Sequence, residues 1–293
     1  MSAPGGHRPA AVLLGAHGTL GQALAQGLPA AGYDLRAALG RAECDVRDEV
    51  AVRKIFAEAK PDVVFNAAAY TDVDRAETEP DLAYAANALG PEVLALATAA
   101  HMAALVHYST DFVFDGECDR PYDEFDPPTP QGLYARSKVA GEKLATAATS
   151  RLFILRVGCL YGRGGRNFPS TILRRLKAGE TVRADRERLG SPTWVREVAT
   201  VSAALARTAH YGTYHCTASG ETSWAEFARF IATELGLPDE RVVALPTAAL
   251  PMKAARPRRA ILENRMLRLR GLDTMLSWQD AARAFIASES KLG

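Results

Sequence analysis

The stretch from Ala10 to Ala30 constrains the fold more than any other part of this 293-residue chain. Ala10-Ala11-Val12-Leu13-Leu14 is a short uninterrupted apolar run, the pattern of a strand covered on both faces. Gly15, Gly18 and Gly21 follow at a GxxGxxG spacing, and Leu20, Leu24 and Leu28 then recur at helical intervals. A strand, a tight turn and a helix start in direct succession let the backbone approach a pyrophosphate, whose charge the helix dipole and free N–H groups favour. Gly15, His17, Gly18, Thr19, Leu20 and Gly21 are the expected cofactor turn. A plain turn with close helix packing is the competing reading of the same glycines.

Strand-like and helix-like segments keep alternating. Asp34–Leu39 reads as a second strand, whose end in NAD-selective sites carries an acidic residue for the adenosine ribose. Gly40-Arg41 stands there instead, and a guanidinium suits a 2′-phosphate, so the expectation leans to NADP over NAD. An arginine just past a strand is equally ordinary solvated surface. Asp48 has the character of a helix N-cap ahead of Val52, Ile55 and Phe56, and Asp45 reads as an adenine contact or a loop residue. Pro61 to Ala69 is a third apolar stretch ending in Ala67, Ala68 and Ala69, small enough for the backbone to pass a bound cofactor. Pro80 to Ala100 reads as one helix, with Asn87 facing solvent or the cofactor side.

A fourth strand, Ala103–Tyr108, leads into Ser109-Thr110-Asp111. Hydroxyls at a strand exit can hold a carbonyl oxygen, although turns favour the same residues. After a proline-rich loop, 121–130, positioned to cover a substrate, Tyr134-Ala135-Arg136-Ser137-Lys138 places a phenol and an ammonium on one helical face. A tyrosine with an ordinary pKa of about 10 becomes a better proton donor when a positive charge stabilises its phenolate, and Lys138 is placed to supply it. The spacing alone is weak; its weight comes from the nucleotide-binding pattern before it.

Several classes are disfavoured. With 35 basic and 34 acidic side chains, no overall field draws nucleic acid or a membrane surface. The four cysteines are far apart and form no metal-binding spacing, and no apolar run is long enough to span a bilayer, so a soluble, reduced, cytoplasmic protein is expected.

Together these features resemble the extended short-chain dehydrogenase/reductase superfamily, where a glycine-rich turn, a Ser/Thr at the fourth strand's end and YxxxK share one site. Within it, the stretch from Asn66 to Glu77 is similar to the NAAAxTxVDxAE segment of dTDP-4-dehydrorhamnose reductases, and His107 to Gly116 to their HYSTDYVFDG. Gly190-Ser191-Pro192-Thr193, Arg256-Pro257, Leu262 and Trp278 add later matches.

The resemblance implies a Rossmann-type doubly wound α/β fold, with a smaller mixed α/β substrate region towards the C-terminus. It implies catalytic roles for Thr110, Tyr134 and Lys138, and cofactor contacts from the glycine turn, Arg41, Asp45, Val46, Ala67, Ala68, Ala69, Tyr134 and Lys138. Val73, Arg75, Thr110, Asp111, Phe112, Tyr134 and Cys159 fall at substrate positions. Phe112 replaces a common tyrosine, Cys159 a tryptophan and Arg188 a glutamine, which touches the choice of sugar more than the reaction. The implied chemistry is NAD(P)H-dependent reduction of the 4-keto group of a nucleotide-activated deoxysugar, by a possible homodimer. Magnesium accompanies some relatives, but no acidic cluster assignable to it stands out here.

The expected organisation is a flexible tail at 1–9, a cofactor domain at 10–157 and a mainly substrate-binding region at 158–293 that can return segments to the sheet. In that region the 161–168 loop carries Arg163 and Arg166 and suits a sugar diphosphate or solvent. Ser223 and Glu226 form a capping-box pattern, with Trp224, Phe227 and Phe230 as a core face, and Arg256 to Arg259 form a basic cluster. Two other readings stand beside the reductase. One is a regulatory subunit like the methionine adenosyltransferase beta subunit; the other is a sugar-nucleotide epimerase or dehydratase.

Overall fold

The structure, a computed structural model, describes residues 7–164 and 167–290. Most of the expected tail and Arg166 lie outside the described residues.

A sheet of six parallel strands forms the centre, in the order β10-β5-β4-β3-β1-β2. The first half supplies β1 (Ala10–Leu14), α1 (Thr19–Ala30), β2 (Asp34–Leu39), α2 (Glu49–Ala59), β3 (Val63–Asn66), α3 (Val73–Ala76), α4 (Pro80–Tyr84), α5 (Gly90–Ala100), β4 (Ala104–Thr110), α6 (Leu133–Ala148) and β5 (Leu152–Val157). The second half supplies β6 (Leu160–Tyr161), α7 (Phe168–Lys177), β7 (Val182–Asp185), β8 (Leu189–Gly190), β9 (Thr193–Trp194), α8 (Val195–Leu205), β10 (Gly212–His215), β11 (Thr222–Ser223), α9 (Trp224–Glu234), β12 (Val242–Leu245), α10 (Arg265–Leu269) and α11 (Trp278–Ser290). The expected doubly wound α/β fold is borne out, and the sheet recruits its sixth strand, β10, from beyond residue 157.

β1, β3, β4 and β5 are buried along their length because both sheet faces are covered. One apolar layer joins the sheet to α1 and α8, where Leu24, Leu28, Val198 and Leu205 are buried. The opposite layer joins it to α2 and α5 through Val52, Phe56 and Leu94. The connection from β1 runs to β2 on one side and that from its neighbour β3 runs to β4 on the other, so the chain leaves these two adjacent strands in opposite directions. In open parallel sheets that switch point opens a crevice beyond the strands' carboxyl ends.

The expected helix from Pro80 to Ala100 is two helices joined by a π turn, Ala85–Leu89. Asn87 sits in that turn and is fully buried, facing neither solvent nor a cavity. Its amide accepts from Tyr70 N at 2.8 Å and donates to Tyr70 O at 2.9 Å and Ser137 Oγ at 3.0 Å, tying the exit of β3 to α6. The helices approach so closely that a Cβ on Gly141 would stand 2.0 Å from the Asn87 carbonyl oxygen.

Candidate active site

The glycine turn is built by packing as much as by backbone freedom. Gly15 has φ +76°, and a Cβ there would stand 2.5 Å from the backbone of Ala67 and Ala68. A Cβ on Gly21 would stand 2.1 Å from the Gly15 carbonyl oxygen. Gly18 caps α1 without a side-chain cap, so the helix's first N–H groups stay available to an anion.

Beside the turn lies a cavity of about 430 Å³ at the switch point. Gly15, His17, Gly18, Arg41, Asp45, Val46 and Ala67 to Ala69 line it, joined by Arg47 and Tyr70. Thr19, Leu20 and Gly21 start α1 instead of walling the cavity, and Thr19 Oγ1 donates to Gly164 O at 2.9 Å. These donors and this cleft fit a dinucleotide. The Arg41 side chain is 76% exposed and lies 3.5 Å from the Asp45 carboxylate. Asp45 is held more firmly by Arg47, with bonds of 2.9 and 2.6 Å, which pulls its carboxyl down to about 2. Arg47 escaped the sequence reading; its one signal was its place two residues after Asp45.

The second group gathers where β4 ends. Thr110 Oγ1 donates to Asp111 Oδ1 at 3.0 Å and accepts from Phe112 N at 3.2 Å. The Phe112 ring meets Tyr134 edge-on, with centroids 6.0 Å apart. Burial pushes Asp111 up to about 7, against the hydrogen bond from Thr110. Lys138 is 2% exposed, and its Nζ donates to the Tyr108 carbonyl at 2.7 Å. Burial brings its ammonium down to about 8, while Glu142 one turn on acts the other way.

Tyr134 departs from expectation in one respect. Burial pushes its phenol up to about 12, with the adjacent Thr110 hydroxyl opposing and the Asp111 charge reinforcing the rise. Desolvation outweighs any help from Lys138, whose ammonium is aimed at the Tyr108 carbonyl. The phenol is therefore protonated throughout the neutral range, the state that a donor needs.

Asp111, Phe112 and Cys159 enter the wall of a second cavity, of about 420 Å³, completed by Phe168, Arg183, Arg188, Trp224, Met252 and Arg256 among others. Cys159 sits at φ +50°, and a Cβ on Gly190 would stand 2.6 Å from its Sγ. Arg188 is fixed by Asp185, with Nε 2.6 Å from Oδ2. On α9, Phe227 is fully buried and Trp224 and Phe230 pack against the same core as expected, while Trp224, edge-on to Phe168, also walls the cavity. Arg75 walls the first cavity and pairs with Glu79 at 2.5 Å, and Val73 sits half-buried on α3. No residue of the 121–130 loop is among the described residues walling the second cavity; Tyr122 bridges to Leu262 instead. Its roof comes from Leu250 to Met252 with Arg256 and Pro257, of which only the last two belong to the basic cluster expected at Arg256 to Arg259.

The family described as RmlD substrate binding domain matches residues 10–291. The chain belongs to this family. It is 39% identical over 280 residues to the dTDP-4-dehydrorhamnose reductase of Streptomyces griseus, spanning 94% of this chain and 92% of that one. The reductase of the same name from Mycobacterium tuberculosis H37Rv is 38% identical over 284 residues, spanning 94% and 92% of the two chains. A crystal structure of dTDP-4-dehydrorhamnose reductase from Bacillus anthracis in complex with NADP superposes with a TM-score of 0.92 at 35% identity, covering 96% of this chain and 100% of that one. The likeness to this reductase family expected from the sequence is borne out. Among the described residues, no group of three or more His, Cys, Asp and Glu side chains is placed to hold a metal ion, and no helix is long and apolar enough to cross a membrane.

Proposed function

We propose that this chain reduces the 4-keto group of a nucleotide-activated deoxysugar, with dTDP-4-dehydrorhamnose as substrate and NADPH preferred over NADH. The observation that carries the reading is the exit of β4. There Thr110 and Tyr134 converge, while the next residues, Asp111 and Phe112, wall the second cavity. The first cavity is assigned to the dinucleotide and the second, built mainly from 158–293, to the sugar nucleotide. Of the three arginines lining the second cavity, Arg188 is paired with Asp185 and Arg256 with Asp74, and Arg183 is the one assigned to a diphosphate.

When bound, the nicotinamide supplies the hydride for the carbonyl carbon. Tyr134 holds the proton on its phenol oxygen and delivers it to the oxygen that develops negative charge. Thr110 Oγ1 hydrogen-bonds the same oxygen and orients it. Lys138 would supply a positive charge and a hydrogen-bond donor to the cofactor ribose. Arg41 is assigned to the 2′-phosphate of NADPH.

The deciding measurement is cofactor oxidation across a panel of nucleotide 4-keto sugars, with NADPH and NADH compared. One NADPH oxidised per sugar reduced is expected. Sugar conversion without net oxidation would identify an epimerase or dehydratase. No turnover, with a synthetase copurifying, would identify a regulatory subunit.

A pH dependence follows from Lys138. Its ammonium is charged below about 8 and neutral above, so kcat/KM for reduction is expected to hold near neutrality and fall as pH rises through about 8. Lys138→Arg, whose guanidinium stays charged there, should keep its residual activity without that descending limb. A limb unchanged in Lys138→Arg would assign it to another group.

A further inference from the structure

The strap from 247 to 257 is clipped at both ends to different parts of the molecule. At its start, Thr247 Oγ1 donates to the Asp185 carboxylate at 2.9 and 3.0 Å, and Thr247 N donates to Glu187 Oε2 at 2.9 Å. At its other end, the carboxylate of Asp74 collects four bonds. Lys253 N and Ala254 N donate at 2.9 and 2.8 Å, and the Arg256 guanidinium donates to both oxygens at 2.9 Å. Between the clips, Leu250, Pro251 and Met252 line the second cavity, and Arg256 and Pro257 continue its wall.

Asp74 does not belong to that cavity. It lies on α3, two positions after Asp72, which with Tyr70 and Thr71 walls the dinucleotide cavity, and beside Arg75, which does the same. One carboxylate therefore joins the lining of the first cavity to the roof of the second, across 182 positions of sequence in the bond to Arg256. Arg256 holds that carboxyl well below the usual carboxylate range, so the joint stays charged at any working pH. A surface ion pair alone would do little. Two backbone donors and a two-pronged guanidinium on one partly buried carboxylate fix an orientation as well as a distance.

We propose that Asp74 is a positioning residue for the substrate: from the dinucleotide side it holds the 247–257 strap in place as the roof of the sugar-nucleotide cavity. The proposal rests on the assignment of the second cavity to the sugar nucleotide. It ties the roof to the dinucleotide side, so a set α3 presents Arg256 and Met252 to the substrate. Without Asp74, the strap is held by its Asp185 and Glu187 clip at one end and by the Leu189 N to Arg258 O bond just past the other, and the substrate must order the roof between them as it binds.

Asp74→Asn keeps an acceptor for the two backbone N–H groups and removes the two-pronged partner of Arg256. The variant is expected to raise KM for dTDP-4-dehydrorhamnose about tenfold, with kcat and the KM for NADPH within about twofold. Trypsin should cut after the exposed Lys253 faster in the variant, and saturating thymidine diphosphate should slow that cut more in the variant, where the ligand orders the roof. NADPH fluorescence reports whether the variant is folded; should it not fold, Thr247→Val removes the Asp185 half of the opposite clip and is expected to raise the same KM. An unchanged KM with an unchanged cutting rate would overturn the proposal. So would a rise in KM matched by an equal loss of NADPH affinity, which would mark Asp74 as a general structural clip. If the wild type turns over no 4-keto sugar, the functional assignment fails, and the cutting rate after Lys253 still decides whether Asp74 holds the strap.

Discussion

Tyr134→Phe is expected to lower kcat for keto-sugar reduction by roughly 10²-fold or more, with NADPH affinity kept within about twofold. The size follows from what the phenol alone supplies. Thr110 Oγ1 remains in the variant to hold the substrate oxygen, but that hydroxyl also donates to Asp111 at 3.0 Å and is a far weaker acid than a phenol. Asp111, whose charge is felt at the phenol, titrates at about 7, and its proton is gone over most of the alkaline range. Residual activity in Tyr134→Phe should therefore rise as pH falls below about 7, where Asp111 is a neutral acid able to donate. The binding half of the expectation rests on geometry. Tyr134 is not among the residues lining the dinucleotide cavity, and its ring packs edge-on against Phe112, a contact that phenylalanine keeps. Single-turnover reduction and NADPH fluorescence titration measure the two halves separately. Turnover within tenfold of wild type would remove Tyr134 from the role of proton donor.

The parts of this site that sequence could reveal are those whose chemistry is local. β1 begins and ends where its apolar run does, because a strand buried on both faces does not tolerate polar interruption, and β2 keeps its expected bounds as a half-exposed edge strand carrying Asp34 and Arg36. Asp48 caps α2, accepting from Val50 N and Ala51 N, and Ser223 and Glu226 form their capping box, as such short-range rules allow. Tyr134 and Lys138 share a helical face by spacing alone. What stayed hidden depends on distant partners. Asn87 is buried because its amide meets Tyr70 and Ser137, which no pattern around residue 87 announces. Trp224 packs on the core as its apolar neighbourhood suggests, but its second place, at the cavity wall, exists only because α7 brings Phe168 to its edge. The phenol's upward shift is likewise a burial effect that a four-residue spacing cannot carry.

The face shared by Tyr134 and Lys138 continues to Glu142, again four residues on, and that third position sets the second large expectation. Glu142 meets Arg156 of β5 through bonds of 3.0 and 2.7 Å, with both side chains buried. The guanidinium lies over the Phe114 ring, 5.3 Å from its centroid, and its Nη1 has no hydrogen-bond partner. Arg156 thus depends on Glu142 for its charge and for two of its donors. Glu142→Ala is expected to cost about 3–5 kcal/mol of stability, since it leaves a buried cation with nothing to balance it. In a protein whose whole margin is of order 5–15 kcal/mol, that loss should show as a large drop in the urea midpoint. Replacing both partners, Glu142→Leu with Arg156→Leu, should cost far less than the single change, because it removes the stranded charge with its partner. Activity should follow a different order. The pair pins α6 to β5 two turns from Tyr134, so the double variant, though stable, is expected to lose part of its kcat as the phenol's position relative to Thr110 on β4 loosens. Urea unfolding and kcat measured on the same three proteins separate the two effects. A single variant costing under about 1 kcal/mol would mean that Arg156 finds water or another partner, and that α6 is held by packing without the pair.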